Sequence, residues 1–127
     1  MKPIKIIVTG ASGRMGQTII KKVLSNKSLK LIGVTEGCKN KFIGSDISEL
    51  IKSKKTGIII TDKIEPLFAK ADAVIDFTIP IATLNYAEMA AKYKIVHVIG
   101  TTGFSPSDEK KISLAAKKAT IIKRKFY

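Results

Sequence analysis

The sequence predicts an α/β fold: a doubly wound parallel sheet in a single domain. Two observations carry that expectation. Short β-branched apolar runs alternate with amphipathic segments from end to end, and the first run, Ile4-Lys5-Ile6-Ile7-Val8-Thr9, breaks into Gly10, Gly13 and Gly16. Strand runs fall at 4–9, 30–35, 57–61, 73–77, 95–99 and 120–122. They are apolar on both faces, as strands covered by helices on both sides must be. Helices of ordinary length between them make βαβ units, hence parallel pairing and right-handed crossovers.

The helices follow in order. In 14–25, Met15, Ile19, Ile20, Val23 and Leu24 share one face, with Gln17, Lys21, Lys22 and Ser25 on the other. A shorter helix over 63–70 joins the third and fourth strands. Segment 80–92 opens on Pro80, which a first turn tolerates, and carries Ile81, Leu84, Ala87 and Ala91 as its stripe. Segment 106–118 has a clear start: Ser105 as N-cap, Pro106 next, then Asp108 and Glu109 in the first turn. Residues 37–56 lack a strong period, apart from a short helix at 47–51. A connection that long is expected to be functional or mobile.

With 127 residues, the chain has the length of one domain and enough mass to bury a core. It is 45% hydrophobic and 26% charged, with a mean hydropathy of +0.13. No apolar stretch approaches the eighteen or so residues of a membrane span. Met1-Lys2-Pro3-Ile4 runs directly into a strand without a secretory leader pattern, and the single Cys38 excludes an internal disulfide or a multi-cysteine zinc site. A cytoplasmic protein is expected. The net charge of +13 suits either a polyanion-binding surface or a lysine-biased, solvated one. Arginine, the usual reader of phosphates and bases, occurs only at Arg14 and Arg124. The lysines are scattered in ones and twos, as at 21–22, 54–55, 110–111 and 117–118. That scatter favours the solvated surface.

Four motifs carry chemistry. Gly10 lets the first strand turn with positive φ, Gly13 lets the backbone approach a pyrophosphate, and Gly16 allows close helix–sheet packing. The pattern follows a strand and opens a helix, the context that a Rossmann-type dinucleotide site requires, although its spacing is G-x-x-G-x-x-G. Glu36 ends the second strand twenty residues after Gly16, where a carboxylate accepts hydrogen bonds from a ribose. Lys39 and Lys41 follow closely and could meet a 2′-phosphate, so NADH and NADPH both stay open. Asp76-Phe77-Thr78 and Gly100-Thr101-Thr102-Gly103 end the fourth and fifth strands, on the edge where open α/β sheets bind ligands. Thr101 and Thr102 offer hydroxyls and backbone groups there. His97 lies inside an apolar strand and reads as a core or edge residue rather than an acid or base. Cys38 has no partner that would make it a nucleophile. Tyr-x-x-x-Lys is absent: Ala90 follows Tyr86, and His97 follows Tyr93, at that spacing. No metal-ligand cluster stands out.

Together, V-T-G-A-S-G-R-M-G at 8–16, Glu36, D-F-T at 76–78 and V-I-G-T-T-G-F at 98–104 closely resemble one family. They are similar to the N-terminal domain of 4-hydroxy-tetrahydrodipicolinate reductase (dihydrodipicolinate reductase), from about residue 4 to residue 122. The resemblance implies an oxidoreductase using NADH or NADPH in the diaminopimelate route to lysine. It places cofactor contacts on Gly10, Ala11, Ser12, Gly13, Arg14 and Met15, on Glu36, and on Gly100, Thr101 and Thr102. Arg14 would sit near the adenosine phosphates, and Phe77 and Thr78 would line the cleft.

Residues 1–122 thus read as an NAD(P)-binding Rossmann-type domain. Residues 123–127, Lys-Arg-Lys-Phe-Tyr, read as a divergent basic tail where the family would continue. The family's second domain, which binds a small dicarboxylate substrate, supplies the acid/base residues and forms the tetramer, has no counterpart here. The chain is therefore expected to bind NAD(P)H without turnover, with no catalytic residue of its own. Two alternatives stand beside this: a non-catalytic module binding dinucleotide or nucleic acid, and a decayed gene fragment. Titration with NADH, then with duplex DNA across a salt series, separates the binding readings, because nonspecific DNA binding collapses steeply with salt.

Overall fold

A computed structural model describes residues 2–117 and 121–123. Strands β1 (Ile4–Thr9), β2 (Leu29–Thr35), β3 (Ile60–Thr61), β4 (Ala73–Asp76), β5 (Val96–Ile99) and β6 (Ile121–Lys123) form one parallel sheet. Its order is β3-β2-β1-β4-β5-β6. The helices are α1 (Arg14–Leu24), α2 (Ser48–Ile51), α3 (Glu65–Phe68), α4 (Pro80–Tyr93) and α5 (Pro106–Ala116). This is the doubly wound order of the Rossmann fold, with its switch point between β1 and β4. The expected end of the last helix at 118 and residues 124–127 of the expected tail lie outside the described residues, whereas Lys123, expected to open that tail, ends β6.

β1 shows why both faces of the sheet need cover. Ile6 and Val8 enter one core with Ile20, Val23, Val34, Ile47 and Ile60, whereas Ile7 enters another with Phe68, Val74, Tyr86 and Ala90. Side chains alternate along a strand, so one apolar run feeds both layers. A register shift between Ile6 and Ile7 leaves Ile32 of β2 without a partner on β1.

Helix α1 buries Gly16, Ile20 and Val23, but Met15 and Leu24, expected on the same face, are 47% and 43% exposed. Each is one residue, about 100° of helix, from that contact line, so each falls at its edge. Ile81, expected in the α4 stripe, is 75% exposed. Ala87 and Ala91 are buried as expected, and Thr83, Tyr86 and Ala90 complete the buried face of α4. Small residues let α4 lie close to the sheet, and Tyr86 fills the gap by stacking on Phe68 with ring centroids 6.0 Å apart. The start of α5 is as expected: Ser105 and Asp108 form a reciprocal capping box.

The later part of the segment 37–56 is packed. Ile47, Leu50 and Ile51 are buried in the α1-side core, with Phe42 and Ile43 against them. Backbone bonds tie it to β3 and the residues just before it, from Gly44 N to the Ile60 oxygen, Ile47 N to the Ile58 oxygen and Ile60 N to the Ser45 oxygen, and one carboxylate gathers its turn. Asp46 accepts hydrogen bonds from Ser48 N, Gly57 N, Thr56 N and the Thr56 hydroxyl. An antiparallel bridge joins Asp46 to Ile59. Residues 57–59 are thereby committed to this loop, which is why β3 begins only at Ile60 rather than at 57.

These donors, the Ser48 amide first, hold the Asp46 carboxyl well below the usual carboxylate range. A lowered folded-state value means stabilisation that is complete above the ordinary value near 4 and lost as pH falls through the folded one. Asp46→Ala should therefore melt lower than wild type at neutral pH. The gap should narrow as the pH is taken below about 4. A gap in melting temperature that stays constant on acidification would contradict this role for the carboxylate.

The paired lysines at 21–22, 54–55 and 110–111, and Lys117, are all exposed, as their scatter predicted; Lys118 lies outside the described residues. Lys92 pairs with Glu65 at 3.2 Å, with both side chains more than half exposed. Such a surface pair contributes little to stability. No helix among the described residues is long and apolar enough to cross a membrane.

Candidate functional site

The glycine turn joins β1 to α1 at the switch point. Gly10 takes φ +72°, and a Cβ there would lie 2.6 Å from the Phe77 carbonyl oxygen, so both conformation and space demand glycine. At Gly16 a Cβ would overlap the Gly10 carbonyl oxygen and stand 3.0 Å from Ala11 Cα. Gly13 differs. It is exposed and extended (φ −72°, ψ 163°), and a Cβ there would meet only the Gly10 oxygen, at 3.6 Å. The fold itself leaves room for a side chain at 13. Gly13 is the N-cap of α1 and provides no side-chain hydrogen bond to the first turn. The unpaired N–H groups of that turn and the helix dipole make an anion-accepting surface.

Glu36 closes one end of the site. It follows β2, and its Oε2 accepts from Ser12 N at 2.6 Å and from the Ser12 hydroxyl. Asn40 Nδ2 donates to the same hydroxyl at 3.1 Å. The strand-end carboxylate is thus fixed against the glycine turn. An open cleft of about 610 Å³ lies over this junction. Of the expected residues, Gly10, Ser12, Gly13, Glu36, Phe77 and Thr78 line it. Lys39 stands on its wall beside Glu36, and Lys41 does not.

Ala11 is fully buried, so only its backbone can serve a ligand. Arg14 and Met15 are exposed in the first turn of α1. Gly100 is buried, and a Cβ on it would overlap the Phe77 ring. Thr101 corrects an expectation. Its side chain is buried, and its Oγ1 accepts from Thr78 N at 2.9 Å and from the Thr83 hydroxyl at 2.8 Å. The hydroxyl is turned inward, and of the two threonines Thr102 is the exposed one.

Sequence reasoning missed Asn40 and Tyr86, which also line the cleft. Asn40 had a local signal: its Oδ1 accepts from Phe42 N two residues on, an Asx turn. Tyr86 had none, because its place depends on how α4 packs. Burial pushes the Tyr86 phenol above its ordinary value, so it stays neutral on the cleft wall at physiological pH.

Beneath the cleft, His97 is wholly buried, as expected of a core residue. Its Nε2 lies 2.9 Å from Asp76 Oδ2, and among the described residues Nδ1 has no hydrogen-bond partner. Cys38 is an exposed thiol on the cleft wall. No group of three or more His, Cys, Asp or Glu among the described residues is placed to hold a metal ion. A groove of about 670 Å³ between α4 and α5 is lined by Ala91, Leu114 and several lysines, remote from the glycine turn.

Comparison with known proteins agrees with this geometry. Residues 4–125 match the family model described as "Dihydrodipicolinate reductase, N-terminus". The chain is 48% identical over 118 residues to the 4-hydroxy-tetrahydrodipicolinate reductase of Brucella abortus, covering 93% of this chain and 44% of that protein. It is 48% identical over 121 residues to that of Parvibaculum lavamentivorans, covering 94% and 45%. It thus spans somewhat less than half the length of these relatives. The dipicolinate-bound dihydrodipicolinate reductase from Paenisporosarcina sp. TG-14 superposes with a TM-score of 0.69 at 26% identity, over 90% of this chain and 43% of that one. The amine dehydrogenase of Mycobacterium smegmatis shares the fold alone, with a TM-score of 0.74 at 17% identity over 93% of this chain and 38% of that one. Because the family match spans nearly all of the chain, the chain belongs to the dihydrodipicolinate reductase family and corresponds to its N-terminal domain.

Proposed function

We propose that this chain is the cofactor-binding part of a 4-hydroxy-tetrahydrodipicolinate reductase, and that its cleft holds NADH or NADPH. One observation carries the reading: Glu36 is bonded to the glycine turn at Ser12, on the carboxyl edge of the sheet at its switch point. A nucleotide laid there meets helix N–H groups for its phosphates and a carboxylate for its ribose hydroxyls. The backbone from Gly10 to Met15 would hold the pyrophosphate, with Arg14 near the adenosine phosphates. Glu36 would take the ribose, Phe77 and Thr78 would wall the cleft, and Gly100, Thr101 and Thr102 would present backbone groups to the nicotinamide. When bound, the cofactor supplies hydride. Lys39 beside Glu36 is where a 2′-phosphate would be met, so both cofactors remain candidates.

In this reading the nucleotide-binding unit takes in residues 1–123 rather than 1–122, because Lys123 closes β6 and the family match runs to residue 125, and the reaction is cytoplasmic. Hydride transfer also needs a small dicarboxylate substrate held in near-attack geometry and a proton source. This chain contributes the reductant's site, and alone it binds without turnover; tetramer formation likewise belongs to the longer relatives' remaining length.

The test is titration of the purified chain with NADH and NADPH in parallel, followed by nicotinamide fluorescence. Gly13→Val should weaken binding roughly tenfold or more, about 1.4 kcal/mol, while the far-UV spectrum stays that of the folded chain. Glu36→Ala should weaken it as well. Binding of neither cofactor, or variants that bind as well as wild type, would overturn the proposal, as would measurable reductase turnover for its second part.

A further inference from the structure

A buried polar network under the cleft is not used by the nucleotide reading itself. Asp76, the last residue of β4, is fully buried. Its carboxylate binds three groups, from β1, from β5 and from the turn that follows β4. The Thr9 hydroxyl at the end of β1 donates to Oδ1 at 2.9 Å, the Thr78 hydroxyl donates to Oδ1 at 2.6 Å, and His97 Nε2 of β5 meets Oδ2 at 2.9 Å. Thr78 carries the network outward. Its N–H donates to Thr101 Oγ1, and its hydroxyl lies 3.2 Å from that of Thr83 on α4, which also bonds Thr101. Thr78 also touches the glycine turn: a Cβ on Gly10 would lie 3.0 Å from Thr78 Cγ2.

We propose that Asp76, clamped by His97, is a positioning residue that fixes Thr78 and, through it, the spacing between the glycine turn and the Gly100–Gly103 loop. A buried carboxylate is costly unless fully engaged, and apolar side chains would pack β4 against β5 without that cost. What the carboxylate adds is a joint: one group ties the carboxyl ends of β1, β4 and β5, the edge on which the cleft opens. The unpartnered Nδ1 of His97 points the same way. Among the described residues, its single polar contact is the one to Asp76. The consequence for dinucleotide affinity rests on the nucleotide reading; the positioning of Thr78 does not.

Asp76→Ala, Asp76→Asn and Thr83→Val, made in the full chain, test it by three readouts: NADH and NADPH titration, amide hydrogen exchange at Thr78, and far-UV circular dichroism. Asp76→Ala should raise the dissociation constant about tenfold and speed exchange at Thr78 in a chain that remains folded. Asp76→Asn should restore both to within about twofold, since its amide group still bonds His97 and the two threonine hydroxyls. Thr83→Val cuts the hydroxyl link from Thr78 to Thr101, leaves the carboxylate intact, and should weaken binding in the same direction. Should Asp76→Ala fail to fold, Thr78→Val, which removes the hydroxyl that Asp76 holds, decides the matter: amide exchange at residue 78 should speed, and unchanged exchange would overturn the proposal. Unchanged Thr78 exchange in folded Asp76→Ala, an Asp76→Asn protein no better than the alanine variant, or a Thr83→Val protein that binds as wild type would each overturn the proposal. Should wild type bind neither cofactor, the nucleotide reading fails and exchange at Thr78 alone judges the positioning role.

Discussion

Gly16→Ala is expected to cost the chain more stability than any other single methyl group added at the glycine turn's helix. The new Cβ would overlap the Gly10 carbonyl oxygen and press on Ala11, both of them backbone that no rotamer change can move aside. Overpacking of this kind costs about 3 kcal/mol or more where the neighbours cannot give. Alanine's better helix propensity offsets about 1 kcal/mol. The clash wins, and the melting temperature should fall by on the order of 10 °C. Helix α1 must also back away from the turn, carrying its N–H groups with it, so dinucleotide binding should suffer too. Gly13→Ala, three residues earlier, provides the contrast. Its methyl meets only the Gly10 oxygen at 3.6 Å, so stability should stay nearly unchanged while binding weakens. Equal melting temperatures for the two variants would refute this division of labour among the glycines.

Phe68→Ala is expected to be comparably severe. Phe68 is completely buried at the end of α3, between Ile7 and Val74 of the sheet and the Tyr86 ring of α4. Removing a buried phenyl ring costs about 3–5 kcal/mol, part of it for the cavity left behind. The effect should reach the cleft, because Tyr86 stacks on Phe68 on one side and lines the cleft on the other. Urea unfolding followed by circular dichroism gives the stability, and NADH titration of the folded fraction gives the coupling. A loss under about 1 kcal/mol would mean that the neighbours collapse into the space, and the packing account would be wrong.

Pattern made most of the fold legible. The strand runs were found because helices on both faces leave them apolar on both sides, and Ser105-Pro106 with Asp108 marked α5 because capping is local chemistry. Faces were harder to read. Met15, Leu24 and Ile81 are apolar yet exposed, since a helix contacts its sheet along a line narrower than its apolar stripe. The segment 37–56 was opaque because it is held by the bonds of Asp46 to Thr56 and Gly57 and by backbone bonds to Ile58 and Ile60, partners ten or more residues along the chain that leave no period. At the site, the glycines and Glu36 were readable from spacing, as was their common edge. The inward turn of Thr101 and the Asp76–His97 contact were not, since both depend on strand register and on the seating of α4. Four aligned residue pairs between β4 and β5, Asp76 with Ile99 among them, create the setting in which that carboxylate and imidazole meet.

The position of β1 in the sheet has a consequence for how binding can be measured. Its neighbours β2 and β4 both come later in the chain, and its contact with Asp76 joins residues 67 apart. The cleft forms only when Phe77, Thr78 and Tyr86 are brought to the glycine turn by the pairing of β1 with β4, so the unfolded ensemble has no complete site for a dinucleotide to grip. A ligand that binds only the completed sheet raises its stability by mass action, by about 2.7 kcal/mol at a hundredfold excess over the dissociation constant. A thermal melt run at rising cofactor concentration therefore becomes an affinity measurement. It asks nothing of catalysis and reports on assembly and recognition in a single curve.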